Sequence, residues 1–342
     1  METVCKECFL DEELRGFIIA QAKVGTCACC KATNIETIAL AELFDFFNEL
    51  FANFQFRDKG ETIIHKLQGN WDLFKSNAIA SKILNAVIPS INTSIQSIDD
   101  PVDFNDEIIA NINYWQELKE QLKWERRYLT DIAYLTEDLG WDGFFNSKIN
   151  LKKEDHYFRA RIHTQPATAS FPIEEMNCPP KAISTAGRSN PIGIPYLYLS
   201  DNPDTILYEI RASYLDEVTI ATFSVADNVT AEVKISDFTE IPTLFHPSEV
   251  NKRIKSTLLK KSISIDLSKP MRRYDSELDY IPTQFICEFI KVFTGVQGIK
   301  FRSSLHPTGN NIVIFDDNLL TCRSVEKHQI NAVTIKSRKS LI

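Results

Sequence analysis

Long hydrophobic runs are missing from this chain. A membrane-spanning helix needs about 18 apolar residues in succession, and acidic and amide residues interrupt the richest window, residues 38–56. The beginning of the sequence also lacks the basic segment and the apolar core of a secretion signal. The sequence therefore predicts neither a membrane protein nor an exported one, and we expect a cytoplasmic location.

An excess of positive charge is missing as well. The 38 lysines and arginines face 46 acidic residues, for a net charge of −8. Proteins dedicated to nucleic acids depend on clustered cations, so a nucleic-acid partner is not expected. Residues 251–273 depart from this average, with eight basic residues against Asp266 alone. The segment is either a solvated helix face or a rim that attracts phosphate groups near a nucleotide site.

Cysteine is present in two closely spaced pairs. Cys5 and Cys8 are separated by two residues, as are Cys27 and Cys30, and 18 residues lie between the pairs. This spacing is typical of a zinc site built from two knuckles, because two intervening residues let both sulfurs of a pair reach one tetrahedral ion. Four thiolates complete the coordination sphere, so we predict a structural Zn²⁺. Free thiols are the alternative, and the neighbouring Cys29 stays ambiguous.

The hydrophobic pattern divides the chain into three parts. Residues 1–35 form the predicted zinc unit, and residues 36–150 show the three- and four-residue apolar spacing of helices. From residue 151 to residue 336 the pattern is that of an α+β domain. Strands are predicted there over residues 158–162, 218–225, 229–235, 298–301, 312–315 and 331–335, and helices over residues 203–212 and 282–293.

Several motifs of the second half resemble a known family. In chain order they are Phe158-Arg159, Gly187-Arg188 with Asn190 and Gly193, Tyr196 to Ser200, Thr205 with Glu209, Gly298-Ile299 with Phe301 and Ser303, and Asn311 to Phe315. This ordered set, over about residues 157–315, resembles the RES domain, which is named for its arginine, glutamate and serine. The resemblance implies a mixed α/β fold similar to that of ADP-ribosyltransferases and a toxin that consumes NAD⁺.

The first half resembles the N-terminal part of HEPN/RES proteins, in which cysteine pairs precede a helical domain. The HEPN nuclease motif places a histidine four to six residues after an arginine, and residues 36–150 contain no such pair. We therefore do not expect ribonuclease activity from this half.

The RES resemblance implies three catalytic residues, Arg159, Glu209 and Ser303. Nicotinamide already carries a positive charge in NAD⁺, so the enzyme must chiefly stabilise an oxocarbenium-like ribose and hold the pyrophosphate. A carboxylate such as Glu209 favours the developing cation, and a guanidinium such as Arg159 suits phosphate. Ser303 is the expected partner of the carboxamide or ribose, with Ser304 as the alternative register.

Four further residues are implied to bind NAD⁺. Arg188 suits the pyrophosphate or ribose, and Tyr198 offers a ring for stacking on nicotinamide together with a hydroxyl. Asn190 belongs to the same motif, and Gly193 lets the backbone approach the ligand closely. Taken singly, each of these residues has an ordinary structural explanation, and their joint order favours the pocket.

The expected function is cleavage of the nicotinamide–ribose bond of NAD⁺ by a glycohydrolase or phosphorylase, in a bacterial toxin or defence effector. An antitoxin or regulatory protein is a possible partner. One alternative is an ADP-ribosyltransferase that modifies a protein or nucleic acid. Another is a zinc-containing sensor or interaction protein.

Overall fold

The computed structural model describes residues 2–21, 23–145, 148–166, 169–240, 243–270 and 277–334. The chain divides into two compact units. Unit 1 comprises Met1–Leu118, Glu137–Phe144 and Glu240–Ser262, and unit 2 comprises Lys119–Thr136, Phe145–Thr239 and Ile263–Ile342. The finer division at residues 35 and 150 stays a prediction. Within the described part of the chain, no helix has both the length and the apolar composition needed to cross a membrane.

The described residues form α-helices and β-strands in mixed order. Helices α1 to α9 are Glu12–Gln21, Phe44–Phe51, Ile63–Trp71, Asn77–Val87, Asp106–Trp124, Trp141–Phe144, Pro203–Glu209, Val250–Ser268 and Ile281–Thr294. Strands β1 to β13 are Thr3–Cys5, Lys23–Gly25, Ile35–Ala39, Phe54–Thr62, Pro101–Phe104, Lys148–Leu151, Tyr157–Ile162, Leu197–Ser200, Glu217–Val225, Val233–Asp237, Gly298–Arg302, Asn310–Ile314 and Leu320–Gln329.

Unit 1 contains helices and two small sheets around an apolar core. The sheets have the strand orders β1-β3-β2 and β4-β5. The helical pattern predicted from residue 36 begins with an apolar stripe, in which Leu43, Phe47 and Leu50 are fully inaccessible. The stripe consists of Leu40, Leu43, Phe44, Phe47, Leu50, Phe51 and Phe54. Its last member, Phe54, begins β4 and pairs with Phe104 of β5. The prediction of helix throughout residues 36–150 is therefore wrong at β4 and β5, and also at the two ends of the range, where β3 and β6 lie. A local apolar period does not reveal pairing between distant segments.

Unit 2 contains an eight-stranded sheet among its described residues, in the order β13-β9-β7-β8-β12-β11-β10-β6. Neighbouring strands are antiparallel except β10 and β11, which are parallel. The register sets Ser200 of β8 and Phe301 of β11 on either side of Asn311 of β12. Helix α7 follows β8 after a short turn, and the Asn202 Oδ1 caps it by accepting from the Asp204 N–H at 2.8 Å. The sheet and this helix position the site.

Most strands predicted for the second half form close to their expected positions, namely β7, β9, β11 and β12. Strand β10 begins later than predicted, at Val233. Residues 331–334 are irregular, so the strand predicted over 331–335 is wrong where the structure describes it, and residue 335 lies outside the described residues. The chain forms β13 earlier instead, as a polar edge strand against β9. Edge strands carry charged residues that hide the apolar alternation.

Candidate functional site

A cavity of about 220 Å³ opens in unit 2 between α7, the ends of β8, β11 and β12, and residues 267–270 and 280. Its apolar side includes Leu199 and Phe301. Its charged lining, among the described residues, consists of Arg188, Glu209, Arg211 and Lys269. Three cations against one carboxylate favour an anionic ligand, in a chain whose overall charge is negative.

The carboxylate of Glu209 is held by two donors at the last turn of α7. Its Oε1 accepts from the Ser303 Oγ at 2.7 Å and from the Asn311 Nδ2 at 2.8 Å. Ser303 itself is buried, with 6 % of its surface exposed, and its Oγ accepts the backbone N–H groups of Leu305 and His306, both at 3.1 Å. The serine hydroxyl therefore points its proton at the glutamate. The two residues form one hydrogen-bonded unit.

The loop that carries Ser303 is anchored to the helix that carries Glu209. The Thr205 Oγ1 and the His306 Nδ1 are hydrogen-bonded at 2.7 Å, and the His306 ring stacks on Tyr208 with centroids 5.2 Å apart. A Cβ at Gly309 would lie 1.8 Å from the Thr205 Oγ1. Only glycine at this position lets the loop come so close to α7.

Tyr198 holds the loop of residues 187–190 from within the cavity wall. Its Oη donates to the Asn190 Oδ1 at 2.8 Å and accepts from the Ser189 N–H at 2.9 Å. Burial raises the pKa of the Tyr198 phenol, so the hydroxyl stays protonated. A Cβ at Gly187 would lie 2.4 Å from the Asn190 Oδ1, so the glycine permits this packing. Asn190 is thus a buried support of the loop.

Arg188 presents its guanidinium at the cavity from a fixed backbone. Its Nη1 donates to the Asp266 carbonyl oxygen at 3.0 Å, and the group lies over the Tyr280 ring, 5.5 Å from the centroid. The Thr283 Oγ1 donates to the Arg188 carbonyl oxygen at 2.6 Å. Burial lowers the pKa of Arg188 from its usual value, while Tyr280 and Glu209 oppose that shift. An arginine remains charged under such conditions.

A RES domain model matches residues 157–334, more than half of the 342 residues. The chain belongs to the RES domain family. This family is associated in general with NAD⁺-using activity of the toxin type. Comparison with curated proteins and with solved structures gave no match.

The cavity of the RES domain brings together three of the predicted residues, Arg188, Tyr198 and Glu209, and Ser303 is hydrogen-bonded to the glutamate. Ser304 lines the cavity, and its Oγ donates to the Ser268 carbonyl oxygen. The serine in contact with the glutamate is thus Ser303.

Four of the seven predicted residues are not in the described lining of the cavity. Ser303 and Asn190 are hydrogen-bonded to the lining residues Glu209 and Tyr198, and the other two are Gly193 and Arg159. Gly193 has a φ of 80° and forms a turn in which its N–H donates to the Ser184 carbonyl oxygen at 3.2 Å. Arg159 lies on β7 opposite Ala221. Its Nη1 is buried without a hydrogen-bond partner among the described residues, and burial, with the nearby charge of Arg161, lowers its pKa. The catalytic role of Arg159 stays a prediction.

Other lining residues of the RES domain had no individual role in the sequence interpretation. Asn311 belongs to the family motif, but its bond to Glu209 depends on the register of β12. Tyr280 and Arg211 gave no sequence signal. Within the basic segment, Lys269 lines the cavity, whereas Arg253 and Lys255 bond acidic residues of unit 1. Residues 272 and 273 of that segment lie outside the described residues.

A candidate metal centre lies in unit 1, before the RES domain. The Sγ atoms of Cys5, Cys8, Cys27 and Cys30 all lie within 4.8 Å of one another. Three of the separations are 3.7, 3.5 and 3.7 Å, and a regular tetrahedron with Zn–S bonds of about 2.3 Å requires about 3.8 Å. Burial raises the pKa of the Cys5 thiol to about 12, a cost that a bound cation offsets. The four thiols can hold a metal ion, and Cys29 lies outside the group.

Proposed function

We propose that this RES domain cleaves the nicotinamide–ribose bond of NAD⁺, in the manner of a glycohydrolase or phosphorylase. The observation that carries the proposal is the carboxylate of Glu209, which two donors hold by one oxygen inside a cation-lined cavity. Among the described residues, both of these hydrogen bonds are accepted by Oε1. The second carboxylate oxygen, Oε2, can therefore accept a hydrogen bond from a ligand hydroxyl.

Cleavage of the nicotinamide–ribose bond needs little assistance from the enzyme at the leaving group, nicotinamide. As the bond between the ribose C1′ and the nicotinamide nitrogen breaks, its electron pair stays with nicotinamide, which leaves as a neutral molecule. Positive charge then develops on the ribose, and a carboxylate beside the ring stabilises it. Water or phosphate adds to C1′, and water loses its proton to the solvent. Glu209 supplies the negative charge and orients the ribose hydroxyls.

The cations of the lining suit the rest of the substrate. Arg188, Arg211 and Lys269 offer charge-assisted hydrogen bonds to a pyrophosphate. The cavity, at about 220 Å³, is smaller than the roughly 300–1,000 Å³ that encloses a drug-sized ligand. It suits one half of the dinucleotide, the nicotinamide riboside, with Tyr198 in its wall. The architecture that we propose for the domain is the ADP-ribosyltransferase-like one.

Incubation of the purified protein with NAD⁺, with and without phosphate, tests the proposal when products are identified by mass spectrometry. We expect nicotinamide together with ADP-ribose or its 1-phosphate. The Glu209→Gln variant keeps the shape of the side chain and should lower the rate about 100- to 1,000-fold, the effect of losing one preorganised electrostatic group. Glu217→Gln, on β9 and paired with Lys327, is the matched control and should retain the rate.

The proposal fails if wild-type protein releases no nicotinamide, or if both variants retain the rate. ADP-ribose attached to an added protein or nucleic acid, with little free product, would instead indicate a transferase. As a toxin, the protein should arrest growth on expression, and Glu209→Gln should relieve the arrest. An antitoxin would then be a partner that suppresses this effect.

We also propose that the four cysteines bind a structural Zn²⁺. Protein purified without chelator should contain one zinc per chain by elemental analysis. Cys27→Ser should lose the metal and lower the unfolding temperature of unit 1, because metal binding contributes directly to folding. Cys29→Ser is the matched control and should retain both. A metal-free wild-type protein with unchanged stability would contradict the assignment.

A further inference from the structure

Arg211 occupies a backbone position that favours glycine. It follows the end of α7 with a φ of 55°, in the left-handed region. Its N–H donates to the Tyr208 carbonyl oxygen at 3.0 Å, and the Ala212 N–H donates to the Leu207 carbonyl oxygen at 3.1 Å. Glycine is usual at this point of a helix terminus, because a Cβ is strained there. A strained non-glycine residue suggests that its side chain has a function.

The side chain of Arg211 borders two cavities. One is the cavity of Glu209. The other, which we call the second cavity, measures about 430 Å³ and lies between the outer side of α7, His306 and residues 328–334. Arg211 is the charged residue common to both linings, among the described residues. A ligand that spans the two cavities would pass this guanidinium.

The second cavity has the lining of a site for a flat aromatic base. Tyr208 is 49 % exposed, and its ring is nearly parallel to that of His306, at an angle of 11°. Such a pair offers a surface on which a base can stack. Leu207 and Val333 add apolar surface, and Asn331 adds an amide that can bond the edge of a base.

We propose that the second cavity binds the adenosine monophosphate half of NAD⁺. The nicotinamide riboside half occupies the cavity of Glu209, and Arg211 binds the pyrophosphate between the two. The smaller cavity, that of Glu209, thus holds the half of NAD⁺ that reacts. The larger second cavity holds the half that contributes to recognition only. The assignment of the two halves rests on the proposed function, whereas binding of an adenine nucleotide to the second cavity does not.

Calorimetric titration with AMP tests the site without any reaction. Wild-type protein should bind AMP, Ala212→Trp should lose that binding because the indole fills the second cavity, and Arg211→Gly should weaken it at least tenfold. Arg323→Ala, which removes an arginine that is paired with Asp227 on the edge strand, should bind AMP like the wild type. Absence of AMP binding at millimolar concentration, or equal binding by all four proteins, would overturn the proposal.

Kinetics with NAD⁺ and nicotinamide mononucleotide test the arrangement of the substrate. The mononucleotide lacks the adenosine half, so wild-type protein should have a kcat/KM for NAD⁺ at least tenfold higher. Arg211→Gly should raise the KM for NAD⁺ about tenfold with little change in kcat, and its unfolding temperature should stay equal or rise, since the glycine relieves the strained backbone. Equal kcat/KM for the two substrates would refute the arrangement. If wild-type protein releases no nicotinamide, the proposed function fails. The AMP titration still tests whether the second cavity binds an adenine nucleotide.

Discussion

The bond between Asn311 and Glu209 yields the sharpest prediction about the site. The Asn311→Asp substitution keeps the shape of the side chain and replaces a donor with a carboxylate, 2.8 Å from the Glu209 Oε1. Two unit charges at that distance repel by about 6 kcal/mol at an effective dielectric constant of 20. Both side chains are partly exposed, so solvent screening reduces this to roughly 2 kcal/mol. The lost charge-assisted hydrogen bond adds about 1.5–3 kcal/mol.

We therefore expect the kcat for NAD⁺ cleavage to fall about 100-fold or more at pH 8, since each 1.36 kcal/mol is a factor of ten. The direction in which the kcat of the variant changes with pH follows from the protonation of the introduced carboxyl group. Two carboxylates in contact favour a shared proton, so as the pH falls the introduced aspartate becomes protonated and donates an O–H where the asparagine donated an N–H. The ratio of variant to wild-type kcat should therefore rise as the pH falls.

Asn310→Asp is the matched control, because the Asn310 Nδ2 donates to the Asp201 Oδ2 at 2.7 Å, one residue away and outside the cavity lining. It creates the same carboxylate pair and should lower stability without changing the pH dependence of kcat. Steady-state kinetics from pH 5 to pH 8 on folded protein make the comparison. The reasoning is refuted if Asn311→Asp retains wild-type kcat at pH 8, or if both variants show the same pH profile.

Three further predictions concern the loop, the serine and a helix of unit 1. Gly309→Ala should lower the unfolding temperature and the activity together, because its Cβ would overlap Thr205 and displace the loop of Ser303; overpacking of this kind costs about 1–3 kcal/mol. Ser303→Ala should lower kcat about 10- to 100-fold with little change in KM, through the lost bond to Glu209; an effect on KM alone would contradict this. Gly16→Ala, at an exposed position of α1, should stabilise this helix by about 0.5–1 kcal/mol in thermal unfolding, since no described atom apart from the helix backbone and the adjacent residues lies within 4 Å of the added methyl group.

The elements of unit 2 that the sequence predicts best are those with a buried face. The strand at 217–225 has apolar residues at most of its positions, and most of its residues are buried. The helix from Pro203 begins with an asparagine cap and a proline, which are typical helix start signals. The edge strands escaped prediction for the opposite reason. Residues 320–329 present mostly exposed polar residues, and residues 148–151 are too few to show a clear alternation, so pairing defines both strands.

The residues of the candidate site also fall into those that the sequence indicates and those that only the tertiary structure reveals. That Glu209 and Arg188 line one cavity could be expected from the order of the family motifs, which is a property of the chain, whereas their roles stay predictions. The bond from Asn311 to Glu209 could not be expected, because it depends on which residues of β8, β11 and β12 stand opposite one another. Tyr280 reaches the cavity from a separate turn before α9, and Arg211 owes its place to a left-handed backbone. Tertiary structure alone brings these groups together.

The hydrogen bonds of Ser303 bear on its role. A hydroxyl has one donor and two acceptor positions, and all three are used here, by Glu209, by the Leu305 N–H and by the His306 N–H. A bond from this hydroxyl to the carboxamide or ribose of a ligand would have to break one of the three. Under the proposed function, we therefore expect the serine to act through the glutamate, as a positioning residue, and the substrate to contact the carboxylate. On this view the serine and glutamate form a single preorganised unit, and the cations of the cavity act on the phosphates.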